Sequence, residues 1–170
     1  MKFIGLGANL PSPTYGSPKS TLEAAITRFC NWQIELIRVS SWYKSEPIPV
    51  SNQPWYINAV AEVKSTLSPH NLIKNLLKIE REFGRCRTHT NEPRTIDLDL
   101  LVYDDIVIGG TITDGIKAYV PHPRMNERAF VLIPIHELYP NWTHPETGVT
   151  VARLIHNLAK IQSIKPMQKI

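Results

Sequence analysis

Two cysteines in 170 residues, Cys30 and Cys86, are too few to staple a secreted fold. They fit a reducing compartment, where thiols stay free. Long hydrophobic runs are also missing. The longest, AFVLIPI at 129–135, falls far short of the roughly 18 residues a membrane span requires. The opening MKFIGLGANLP lacks the apolar core and cleavage site of a secretory leader, so a cytoplasmic location is expected. There is no internal repeat and no low-complexity tract. Glycine-rich nucleotide loops are absent as well: GLGANL completes neither G-x-x-x-x-G-K-[ST] nor G-x-G-x-x-G. The six histidines show no zinc-ligand spacing and read mostly as surface or capping residues. No serine or cysteine nucleophile motif is found.

What remains is an ordinary globular composition, 42% hydrophobic and 20% charged, at a length that one core can serve. We therefore expect a single domain over 1–170. The net charge of +4 invites anionic partners without naming them. Its distribution says more, because Arg81, Arg85, Arg87 and Arg94 crowd the approach to the run EPRTIDLDLLVY, residues 92–103.

The pattern of elements is mixed. MKFIGLG reads as a strand ending at glycines. Ser20 and Glu23 have capping-box spacing for a helix to Phe29 or Cys30, with Ser17-Pro18 as an earlier start. IELIRVSSWY reads as a second strand, followed by a loop with three prolines. YINAVAEVKS alternates, with Ile57, Ala59, Ala61 and Val63 on one face and Tyr56, Asn58, Val60 and Glu62 on the other. Ser68-Pro69 opens a helix with the stripe Leu72, Ile73, Leu76, Ile79 and Phe83, stopped at Gly84. Asp104-Asp105 reads as a turn before IVI, a short partner strand. A helix is expected from about Glu127 to Tyr139, offset at Pro134, and another after Thr150. This order predicts an α+β fold of the ferredoxin-like sandwich type, a mostly antiparallel sheet with helices packed on it.

Asp97 and Asp99 interrupt the most strand-like run. On a strand they project from one face, roughly 6.5 Å apart along the backbone. Two carboxylates so placed repel, and a divalent cation relieves them. Magnesium favours one or two carboxylates, completing its shell with water and phosphates. The D-x-D alone favours an acidic solvent face over a cation site. The neighbouring arginines favour phosphate, since phosphoryl transfer depends on positioning and charge stabilisation. A metal-dependent nuclease or nucleic-acid-binding domain is the alternative, although its basic residues would spread over a broad face interleaved with aromatics.

EPRTIDLDLLVY resembles the signature of the 6-hydroxymethyl-7,8-dihydropterin pyrophosphokinases. GLGANL, SSWYKSEPI, QPWYINAV, LLKIEREFGRCR, VPHPRMNERAFVLIPI and ELYPNW follow in that family's order, from residue 4 to about 142. The resemblance implies transfer of pyrophosphate from ATP to the pterin hydroxymethyl group, releasing AMP, in folate biosynthesis. It implies that Asp97 and Asp99 hold two magnesium ions and that Arg85 and Arg94 act on the phosphates. It further assigns Glu80, Arg87, Lys117, His122 and Arg128 to ATP, and Tyr56, Phe130, Asn58, Ser45, Glu46 and Ile48 to the pterin. A monomer acting on small molecules, without nucleic acid or membrane, is the implied assembly. The chain departs from the pattern at THTNE, where a tryptophan of the family is absent and the loop is about one residue shorter. A binding protein without turnover is the reading that this departure leaves open.

Overall fold

The computed structural model describes residues 1–85, 92–161 and 168–170. Strand β1 (Lys2–Ala8) leads into helix α1 (Pro18–Arg28), which passes into a 3-10 turn at Phe29–Trp32. Strands β2 (Glu35–Val39), β3 (Tyr43–Ser45) and β4 (Tyr56–Lys64) follow, then helix α2 (Pro69–Glu82) and strand β5 (Asp97–Tyr103). Strands β6 (Ile108–Thr113) and β7 (Ile116–Val120) form a separate hairpin. Helices α3 (Ala129–Leu138) and α4 (Val151–Ile161) and a short strand β8 (Gln168–Lys169) complete the order.

The main sheet runs β5-β1-β4-β3-β8, with β2 pairing on β4 beside β3. Every pairing in it is antiparallel. Strands β1 and β2 both run against β4, so α1 connects two like-directed strands with β4 between them, and α2 does the same for β4 and β5. These interleaved β-α-β units are the ferredoxin-like arrangement.

Alternation gives the sheet two apolar faces. Ile4, Leu6, Ala59, Ala61, Leu98 and Leu100 meet Leu22 and Ala25 of α1 and Leu72, Leu76 and Ile79 of α2. On the other face Phe3, Val60, Leu101 and Val102 meet Val131, Leu132 and Ile135 of α3 and Val151 and Leu158 of α4. Each Val, Leu, Ile or Phe among them, fully buried, contributes about 1.5–3 kcal/mol. This second cluster covers only part of its face. At the Ala8 end of β1 the face carries Gly7, Asn58 and Asp97 instead of apolar side chains.

The start and stop signals act as expected at α2. Ser68 accepts a hydrogen bond from Asn71 N, Pro69 takes the first turn, and Gly84 adopts φ +79° just beyond Phe83. Thr150 likewise caps α4 by accepting from Arg153 N. Elsewhere the structure corrects the reading. The cap of α1 is Ser17, which accepts from Ser20 N, so the Ser20–Glu23 spacing lies inside the helix. IELIRVSSWY is not one strand: β2 stops at Val39, and β3 begins at Tyr43. IVI does not pair with β5. Ile106 and Val107 are exposed, and Ile108 opens the separate hairpin against β7. The helix expected from Glu127 begins at Ala129, after a 3-10 turn at Met125–Glu127, and contains Pro134.

Candidate active site

The bare end of the sheet is the floor of a cavity of about 570 Å³. Its geometry follows from register. Gly7 of β1 lies between Asp97 of β5 and Asn58 of β4, and Gly5 lies beside Asp99. A Cβ on Gly7 would sit 3.4 Å from Asn58 Oδ1 and 3.7 Å from Asp97 Cβ, so glycine keeps this row open. Asp97 and Asp99 thus project together from β5 while Ile96, Leu98 and Leu100 enter the core, as the alternation requires.

The two carboxylates differ. Asp97 is held by a close contact from Arg85 and a 2.8 Å bond from Arg94 Nη1. Arg85 also pairs with Glu80, a carboxylate only 1% exposed that accepts from Leu98 N at 2.8 Å. Burial works against the Arg85 charge, yet Asp97 and Glu80 outweigh it and its pKa is raised. Among the described residues, Asp99 is reached only at longer range, by Arg128 Nη1 at 3.6 Å and His122 Nε2 at 4.0 Å. Burial, with the Asp97 charge beside it, pushes the Asp99 carboxyl up to about 7. His122 is pushed down to about 4 by burial and by Arg128, so it is neutral near pH 7. Burial also lowers Arg128, with Asp99 offsetting part of the effect.

The rest of the cavity is of a different kind. Tyr56 and Phe130 line it, with Arg94 lying 5.7 Å from the Tyr56 ring centroid and Arg128 5.6 Å from that of Phe130. Asn58 is buried and donates to Ser45 Oγ at 2.8 Å. Ser45, Glu46 and Ile48 form the rim beside them. A charged half able to hold a cation and phosphates therefore adjoins a half able to sandwich a flat, polar ring. Hard carboxylate oxygens two residues apart on a rigid strand, one of them destabilised as an anion, are a donor set suited to magnesium. Among the described residues no cluster of three or more His, Cys, Asp or Glu side chains stands ready to hold a metal ion. Any ion on this pair must take further ligands from water or substrate.

The model of the 7,8-dihydro-6-hydroxymethylpterin-pyrophosphokinase family matches residues 3–140. The chain belongs to this family. It is 38% identical over 156 residues to a 2-amino-4-hydroxy-6-hydroxymethyldihydropteridine pyrophosphokinase of Synechocystis, covering 91% of this chain and 74% of the relative. With the enzyme of that name from Haemophilus influenzae it shares 34% over 163 residues, 96% of each chain. Longer proteins contain the same unit. The chain spans 21% of the Pneumocystis carinii folic acid synthesis protein, at 33% identity. It spans 46% of a Plasmodium falciparum HPPK-DHPS chain solved with pteroate, at TM-score 0.72 and 12% identity, a likeness of fold.

Of the positions the pyrophosphokinase resemblance singled out, Arg85, Arg94, Asp97, Asp99, His122, Arg128, Ser45, Glu46, Ile48, Tyr56, Asn58 and Phe130 all line this one cavity. Two do not. Glu80 lies beneath it, under Arg85 and the backbone of Leu98. Lys117 stands on the β6–β7 hairpin, 5.0 Å from the ring centroid of Tyr119. Arg87, Cys86 and most of THTNE, residues 88–91, lie outside the described residues.

Three contributors escaped the reading of the sequence. Arg124 and Gln53 line the cavity from loops whose course periodicity does not reveal. Asn9 is 2% exposed and ties three segments together. It donates to Gln53 Oε1 and Pro54 O, and it accepts from Arg94 N at 2.7 Å. The polar Asn9 at the end of an apolar strand was the available signal, inside GLGANL.

Proposed function

We propose that this chain transfers the pyrophosphoryl group of ATP to the hydroxymethyl oxygen of 6-hydroxymethyl-7,8-dihydropterin, releasing AMP. Family membership supports the reaction, and one observation supports this site for it. The acidic pair with its arginines and the aromatic-amide slot open into the same cavity, so two different substrates can meet there.

In this reading Tyr56 and Phe130 sandwich the pterin, and Asn58 and Ser45 meet its polar edge. The triphosphate lies along Arg85, Arg94, Arg124 and Arg128. Asp97 and Asp99 would hold magnesium, two ions as the family resemblance implies, which when bound would supply neutralisation of phosphate charge and alignment of the attacking oxygen with the β-phosphorus. Arg85 and Arg94 hold the Asp97 carboxylate in place. Arg128, between Asp99 and Phe130, joins the two halves. Neutral His122 offers a hydrogen bond without adding charge. Glu80 acts from below, by fixing Arg85 and the strand that carries both aspartates.

We further propose that residues 1–170 act as one domain, in the cytoplasm, as a monomer that engages neither nucleic acid nor membrane. No helix among the described residues is long and apolar enough to cross a membrane. The reaction is tested by following AMP. Release from ATP should require both magnesium and the hydroxymethylpterin. Protein that binds both substrates and forms no AMP would support a binding role in place of catalysis.

A further inference from the structure

We propose that Glu137, remote from the cavity lining, is a positioning residue that sets the polar edge of the pterin slot against its Phe130 wall by coupling α3 to β3. The inference rests on the function proposed above. That wall and that edge come from separate elements: Phe130 from the first turn of α3, and Ser45 from the end of β3. Glu137 lies seven residues after Phe130, two helical turns along the same face. Its carboxylate spans to β3 and the residues before it. Oε1 accepts from Ser41 N at 3.0 Å and from Ser41 Oγ at 2.7 Å, while Oε2 accepts from Tyr43 OH at 2.5 Å.

Tyr43 is only 8% exposed, and its register partner on β4 is Asn58. Asn58 in turn donates to Ser45 Oγ. One carboxylate therefore connects the helix bearing one aromatic wall to the strand bearing the polar edge. Burial, with Glu137 beside it, pushes the Tyr43 hydroxyl up to about 12, so it remains a donor. The same end of α3 is anchored a second time. Tyr139 OH donates to Glu62 Oε1, and Arg38 Nε binds Glu62 Oε2 at 2.8 Å. This second anchor holds the helix to the sheet without Glu137, so loss of the carboxylate should loosen β3 more than it unfolds the protein.

The test is a comparison of Glu137→Gln, Glu137→Ala and Tyr43→Phe with the parent, measuring kcat, both KM values, pterin binding by calorimetry and Tm. Small displacements of a binding wall weaken binding steeply, so Glu137→Ala should raise the pterin KM and Kd by about 10-fold. Gln retains one acceptor oxygen and should lie between Ala and the parent. Tyr43→Phe should move the same two quantities in the same direction. The ATP KM should stay within about twofold throughout. A merely structural role would lower Tm and the active fraction, reducing kcat with both KM values unchanged. That pattern overturns the proposal, as does an equal rise in both KM values. If the parent itself releases no AMP, the proposed reaction fails, and calorimetry alone decides: an unchanged pterin Kd in Glu137→Ala and Tyr43→Phe overturns the coupling.

Discussion

Asp97 and Asp99 are two residues apart on one strand, yet their surroundings assign them different parts. Asp97 is the neutralised member, bound to Arg94 and in close contact with Arg85. Among the described residues, Asp99 has no bond shorter than the 3.6 Å approach of Arg128, and burial makes its charge costly. A site that keeps one anion unrelieved trades stability for readiness to bind a cation. Replacing Asp99 by Asn should therefore leave the metal-free protein at least as stable at pH 8, by Tm, while magnesium-dependent turnover falls at least about 100-fold. Asp97→Asn should lose turnover similarly but also lower Tm, because Arg85 and Arg94 lose their counter-charge. Near-normal rates in either variant would sink the metal-site assignment. Equal Tm changes in the two would remove the distinction between them. The pair itself was legible in the sequence, because alternation on a strand is a local property. Arg124 and Gln53 were not, because lining a cavity depends on where loops return.

At the scale of elements, the boundaries legible in advance are those set by local chemistry. Ser68-Pro69 and Thr150 cap their helices, and the alternation of Tyr56–Lys64 sends Ile57, Ala59, Ala61 and Val63 to one core while Tyr56 and Asn58 on the other face reach the site. The hairpin Ile108–Val120 was missed in outline because it buries little: four of its six first-strand residues are exposed, so no apolar period marks it. His144 shows a similar limit. It reads as a surface or capping histidine, and it is 2% exposed in the turn that launches α4. Its Nδ1 accepts from the amides of Glu146 and Thr147, a role open only to the neutral ring. Burial accordingly pushes its pKa down from the ordinary 6.5, with Glu146 opposing weakly. A histidine depressed in the folded state binds protons better when unfolded, so its contribution is present above pH 6.5 and is lost as pH falls. Asn at this position keeps an acceptor without a titrating group. The stability gap between parent and His144→Asn in denaturant should thus shrink below pH 6.5, by at most about 1.4 kcal/mol per pH unit. His122 titrates identically in both proteins and cancels in the difference. A gap that stays constant from pH 7.5 to 5 would refute this account of His144.

Across the whole molecule, the sheet divides labour along its strands. One end is filled on both faces. The other leaves β1, β4 and β5 bare on one face, and α3, Arg94 and the loop from Glu46 to Gln53 enclose that gap. Binding in such a gap adds contacts to several elements at once in the folded state alone, so ligands should stabilise the fold by linkage. A non-hydrolysable ATP analogue at 100 times its Kd adds about 2.7 kcal/mol, which for a chain of this size raises Tm by about 5–10 °C. In the parent this increment should require magnesium, because the triphosphate and the Asp97–Asp99 pair are both anionic and repel without it. In Asp97→Asn most of the magnesium-dependent part should vanish. A second groove, lined by Phe29, Cys30 and Leu36 at the far end of the sheet, supplies the control. Cys30→Ser there should leave the magnesium-dependent increment intact. An increment of equal size with and without magnesium, or one retained in full by Asp97→Asn, would place the nucleotide somewhere other than this cavity.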